Sequence, residues 1–108
     1  MQTLRDKPTA IFCYNDLIAL DVLKVLRKLN YKVPEDISIV GYDNSHLAEA
    51  TEINLTTVEH PKKELGEKAA HLLLDVIEGK SEFNGDPYTF KPKLIMRNST
   101  AKPAKPEE

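Results

Sequence analysis

The chain has 108 residues, enough for one domain or a part of a larger one. Hydrophobic residues make up 41% and charged residues 30%, which excludes a disordered chain. The net charge of −2, with both signs interspersed, leaves no basic stripe to grip phosphates, so this segment by itself is not expected to bind DNA. No apolar run approaches a membrane span, the N-terminus shows no apolar signal-peptide core, and no membrane partner is expected. A single cysteine, Cys13, excludes an internal disulfide and is compatible with the cytoplasm.

Residues 10–14, Ala-Ile-Phe-Cys-Tyr, form a short apolar run that predicts a buried strand. Asn15 and Asp16 then open a helix over about residues 17–29, because a short polar side chain there accepts from free backbone N–H groups. Ile18, Val22, Val25 and Leu29 repeat at helical spacing and predict its apolar face. Asn30 is the stop, since Asn tolerates the left-handed conformation. Residues 33–36 are a turn, and residues 37–41, rich in β-branched side chains, are a second strand. A strand–helix–strand order of this length implies a parallel pair. The fold class is therefore α/β, built on parallel-sheet βαβ units.

Residues 42–54 are polar and irregular, and residues 55–58, Leu-Thr-Thr-Val, are a short third strand. Pro61 suits the start of a helix over residues 62–77. Leu65, Ala69, Leu72 and Val76 form one stripe, and Gly66, Ala70, Leu73 and Ile77 an adjacent one. A stripe that wide predicts burial on two sides or an interface. Gly79 closes this helix, a loop follows, residues 90–97 contain a last strand, and residues 101–108 are expected to be a disordered tail.

Parallel α/β sheets bind ligands at the carboxyl ends of their strands. Asn15 follows the first strand and Asp43 the second, so both reach the same rim. An amide and a carboxylate can hold adjacent sugar hydroxyls, the carboxylate as acceptor only. The competing explanation is a helix cap for Asn15 or Asp16 and a turn for Asp43, and spacing alone favours it. Phe12 and Tyr14 fall on one face of the strand, opposite Cys13, and suit either stacking on a ring or ordinary sheet packing, with packing favoured. Cys13 is a buried thiol by default. His46, His60 and His71 are scattered, without metal-ligand spacing or a nucleophile partner, so neither a metal site nor a catalytic residue is expected.

Three stretches, in this order, resemble the last third of the effector domain of the lactose-repressor/galactose-repressor family. They are residues 8–16 (PTAIFCYND) with the helix start at residues 17–20, residues 33–44 (VPEDISIVGYDN), and residues 55–58 (LTTV) running into His60-Pro61 and Leu65-Gly66, with Arg97-Asn98-Ser99-Thr100 at the end. Within that family, residues 12–16 and 60–66 are most similar to arabinose-responsive members, which join a winged-helix DNA reader of another family to this sensor domain. The resemblance implies a two-lobed, periplasmic-binding-protein-like fold with the ligand between the lobes. Residues 1–100 would be its incomplete C-terminal part, with residues 10–42 in the C-terminal lobe. The third strand would cross to the N-terminal lobe, where its helix packs, and the last strand would cross back. The resemblance also implies a cytoplasmic repressor without enzymatic activity or cofactor. Its effector would be a small sugar, L-arabinose on the narrower match. It would be a homodimer, and would touch operator DNA only through a head domain outside this chain. By position, Asn15 and Asp43 match polar ligand contacts and Phe12 a wall of the site. Asp16 matches a helix cap, and Leu20 a dimer-interface position. Leu17 joins Leu20 there, since both lie off the Ile18–Val22–Val25 stripe.

A solute-binding protein of a sugar transporter shares this fold and is the alternative; residues 34–41 favour the repressor. An α/β enzyme is the third candidate, opposed by the missing phosphate loop and nucleophile motif.

Overall fold

The computed structural model describes residues 7–50, 52–82 and 84–103. It divides into two compact units, one of the chain up to Glu59 together with the chain from Lys93 onward, the other of residues 60–92. The first carries strand β1 (Ala10–Phe12), helix α1 (Asp16–Lys28), strand β2 (Ser38–Val40), a single 3-10 turn (His46–Glu49), strand β3 (Thr57–Glu59) and strand β4 (Lys93–Ile95). The second carries helix α2 (Lys62–Ile77).

β1 and β2 pair in parallel, with Ala10 opposite Ser38, Ile11 opposite Ile39 and Phe12 opposite Val40. This is the expected βαβ unit, with shorter strands. The Cys13 N–H still donates to the Val40 carbonyl at 2.8 Å, so Cys13 closes the ladder and Tyr14 leaves it. α1 begins at Asp16 because the Asn15 side chain accepts from the Ile18 N–H at 2.9 Å. Arg27 and Lys28 sit in its last turn, where positive charge offsets the carbonyl end of the helix. Asn30, at φ 64°, stops it in the left-handed conformation foreseen for it.

The core of this unit gathers Cys13, Ala19, Leu26, Val33, Ile37, Ile39, Ala48 and Leu55, with Ile11, Val22 and Leu23 packed against it. Two expectations fail here. The face of α1 that enters the core is Ala19–Leu26 with half-buried Val22 and Leu23; of the predicted row, Ile18, Val25 and Leu29 are exposed. β1 is not a buried strand either, since Ala10 and Phe12 are exposed and only the Ile11–Cys13 side meets the core. Both follow from one fact: the described residues lay α1 against one side of a two-stranded parallel ladder, and the other sides of helix and strand meet solvent.

The second edge of β2 is taken by two segments. Ser99 comes first, its carbonyl accepting from the Ile39 N–H at 2.9 Å and its hydroxyl donating to the Ile39 carbonyl at 2.6 Å. Past the strand, the Gly41 N–H donates to the Thr56 carbonyl at 2.9 Å, beside a parallel bridge between Val40 and Thr56. The chain then enters β3, which pairs antiparallel with β4, Thr57 facing Ile95 and Glu59 facing Lys93. Residues 55–59 thus belong to the unit that holds β1 and β2. The tail foreseen from residue 101 starts later: the Ala101 N–H donates to the Ser38 hydroxyl at 3.0 Å, and residues 104–108 lie outside the described residues.

In the second unit, α2 spans the residues foreseen for it and ends before Gly79, whose φ is 76°. Pro61 occupies its cap position rather than the first helical one. Of the two readings of its wide apolar stripe, burial on two sides is not found among the described residues: Leu65, Leu72, Leu73, Val76 and Ile77 are all exposed. On α2, the Lys68 ammonium lies 4.4 Å from the centre of the Tyr88 ring in the loop that follows.

Candidate functional site

An open pocket of about 600 Å³ lies at the carboxyl ends of β1 and β2, lined by Phe12, Cys13, Tyr14, Asn15, Tyr42 and Asp43. All three ligand-contact candidates, Phe12, Asn15 and Asp43, are therefore brought together. The strand pleat sorts the aromatic wall: Cys13 points to the core at 4% exposure, while Phe12 and Tyr14 stand on the open side at 68% and 83%. Stacking, the minor possibility in the sequence, is open to them because ordinary sheet packing is not what they do. Burial pushes the Cys13 thiol up from its usual range, which keeps it neutral and a poor nucleophile.

Asn15 caps α1 and lines the pocket at once. Its Oδ1 is spent on the Ile18 N–H, so the amide NH₂ is the group it can offer a ligand. The cap is Asn15 and not Asp16, which corrects the role expected for Asp16. Asp16 is instead the first helical residue and is 2% exposed. Its Oδ2 accepts from the Ser45 N–H at 2.7 Å and the Ser45 hydroxyl at 3.0 Å, and its Oδ1 from the Thr57 hydroxyl at 2.6 Å.

Asp43 sits at φ 112° and Asn44 at φ 51°, left-handed positions for residues with side chains. Such conformations cost on the order of 1–3 kcal/mol each and persist only when their surroundings hold them. The surroundings here are specific. The Asp43 N–H donates to the Val58 carbonyl at 2.9 Å, and the Asn44 N–H to the Thr57 hydroxyl at 3.3 Å. The Arg97 guanidinium, mostly buried, donates to the Asn44 Oδ1 at 2.8 Å and to the Leu55 carbonyl at 3.0 Å. The turn expected at Asp43 is real, and it is a strained turn at the pocket's rim.

Tyr42 is a lining residue beyond the candidates the sequence offers. Its signal was position alone, between the end of the second strand and Asp43. Leu17 and Leu20 do not line the pocket; they lie three residues apart on the first turns of α1, Leu17 exposed at 55% and Leu20 half-buried. Among the described residues no three His, Cys, Asp or Glu side chains come together as a metal site, and no helix is long and apolar enough to cross a membrane.

The architecture agrees with the matches to known proteins. Residues 1–100 match the family described as the periplasmic binding protein-like domain. The chain belongs to this family. It is 47% identical over 95 residues to the arabinose metabolism transcriptional repressor of Geobacillus stearothermophilus, covering 88% of this chain and 26% of that protein. It is 41% identical over 98 residues to the transcriptional repressor PurR of Vibrio vulnificus, covering 91% of this chain and 29% of that one. Among solved structures, a LacI family transcriptional regulator from Enterococcus faecalis with bound ribose superposes with a TM-score of 0.83 at 38% identity, over 96% of this chain and 38% of that one. The resemblance to lactose-repressor-type effector domains, and to arabinose-responsive members in particular, is thereby borne out. This periplasmic-binding-protein-like chain spans about a quarter of the length of the curated relatives it matches first. These relatives are named as regulators and not as enzymes.

Proposed function

We propose that this segment is the sugar-sensing part of a cytoplasmic transcriptional repressor, with a pentose, L-arabinose, as effector. The observation that carries it is the convergence of Phe12, Asn15 and Asp43, with Tyr14 and Tyr42, in one open pocket at the strand ends. The Asp43 carboxylate accepts from sugar hydroxyls, the Asn15 amide donates to one, and the exposed Phe12 ring covers the apolar face of the sugar. No metal or cofactor takes part. The names of the relatives support both the regulatory role and the class of ligand. Operator DNA is met by a head domain outside these residues, and two copies associate through the start of α1, at Leu17 and Leu20. Calorimetry of the complete protein with L-arabinose tests the site. Asp43→Ala removes a charge-assisted hydrogen bond worth roughly 1.5–3 kcal/mol, which lowers affinity about tenfold to a hundredfold. Unchanged affinity in a folded variant removes Asp43 from the site.

A further inference from the structure

We propose that Asp16 is a positioning residue for ligand binding: it sets the aim of Asp43 without touching the ligand. The inference rests on Asp43 being a ligand contact. Asp16 brackets Asp43 from both sides. Its backbone N–H donates to the carbonyl of Tyr42, the residue before, at 3.0 Å. Its carboxylate accepts from the backbone N–H and the hydroxyl of Ser45, two residues after, at 2.7 and 3.0 Å. Its other oxygen holds the Thr57 hydroxyl at 2.6 Å, and that same hydroxyl accepts from the Asn44 N–H at 3.3 Å. The left-handed backbone at Asp43 and Asn44 is thus tied on both flanks to one buried residue, by its main-chain N–H on one side and its carboxylate on the other.

A carboxylate suits this task because its two oxygens accept from several donors at once, and such bonds are shorter and stronger than neutral ones. Asn at this place keeps the size but turns one acceptor into an NH₂ group. Facing the Ser45 or the Thr57 donors, that group releases one flank of the turn. The room for the carboxylate is built as well: a Cβ on Gly41 would stand 2.3 Å from the Asp16 Oδ1.

The test is a double-mutant cycle in the complete protein, read by calorimetry with L-arabinose or, where another sugar of a pentose and hexose panel binds more tightly, with that sugar. Asp16→Asn in the otherwise unaltered protein is expected to weaken binding by about tenfold. In the Asp43→Ala background the same substitution is expected to change affinity by less than about twofold, since the residue it aims is gone. An equal loss in both backgrounds means a general structural role and overturns the proposal while leaving Asp43 in the site. No effect of Asp43→Ala on its own overturns the ligand-contact reading of Asp43, and the proposal with it. If Asp16→Asn does not fold, Thr57→Val runs the same cycle from the other end of the bond. Thr57→Ser, which keeps the hydroxyl, is then expected to restore affinity, and its failure to do so overturns the proposal.

Discussion

Gly41→Ala isolates the close approach between the end of β2 and the start of α1. A Cβ at Gly41 would meet the Asp16 Oδ1 at 2.3 Å, the Leu55 Cδ2 at 2.8 Å and the Asp16 Cα at 3.4 Å. The Leu55 methyl is the end of a flexible side chain and can rotate away. The carboxylate cannot, because its Oδ1 is held by the Thr57 hydroxyl at 2.6 Å and its own Cα lies just behind. Asp16 must retreat, and the Thr57 bond is lost or the first turn of α1 shifts. Overpacking costs about 1–3 kcal/mol and a charge-assisted bond about 1.5–3, so a loss of about 3 kcal/mol or more is expected. Urea denaturation of the complete protein, followed by circular dichroism, should show the midpoint falling by about 1 M or more. The same substitution in an Asp16→Ala background should cost about 1 kcal/mol or less, because the group it collides with has gone. A Gly41→Ala protein within about 0.5 kcal/mol of the parent would refute the reasoning.

Other expectations are read by simpler assays. Leu20→Glu should move a dimer of the complete protein toward monomer in sedimentation. A two-fold interface loses about 1.5–3 kcal/mol of buried leucine on each side, so the dissociation constant should rise at least about a hundredfold. An unchanged equilibrium would take Leu20 out of the interface. Cys13 should react slowly with thiol reagents at neutral pH, because burial raises its pKa and holds it as the thiol. Its labelling, followed on the peptide that carries it, should speed up only as pH climbs above the ordinary cysteine range. Rapid labelling at pH 7 would contradict its burial.

The rim was legible in the sequence because strand ends are. Once residues 10–14 and 37–41 are a parallel pair, Asn15 and Asp43 fall on the same edge whatever else the chain does. Periodicity could not rank Asp16 against Asn15, since either short polar side chain can cap a helix. The choice depends on Thr57, 41 residues away, whose hydroxyl gives the Asp16 carboxylate a buried partner and leaves the cap to Asn15. Nor does any local pattern announce a positive φ at Asp43. Thr57 and Arg97, which hold that turn, reach it from β3 and the segment after β4 respectively.

Where periodicity misled, it did so in one direction. The Ile18–Val22–Val25–Leu29 row is apolar at helical spacing, yet only Val22 packs against the core, and Ile18, Val25 and Leu29 are exposed along a shallow apolar groove with Ile11. The two stripes of α2 are equally apolar and equally exposed. Such spacing reports which faces a chain can bury, not what buries them. A contiguous apolar row on this scale is a surface suited to contact. The pocket rests on different ground. Its geometry depends on Asp16, Thr57, Ser45 and Arg97 inside the first unit. The exposed apolar faces and the turn that aims Asp43 are separable features of the same segment, and a substitution such as Leu20→Glu should alter assembly while leaving the turn at Asp43 as it is.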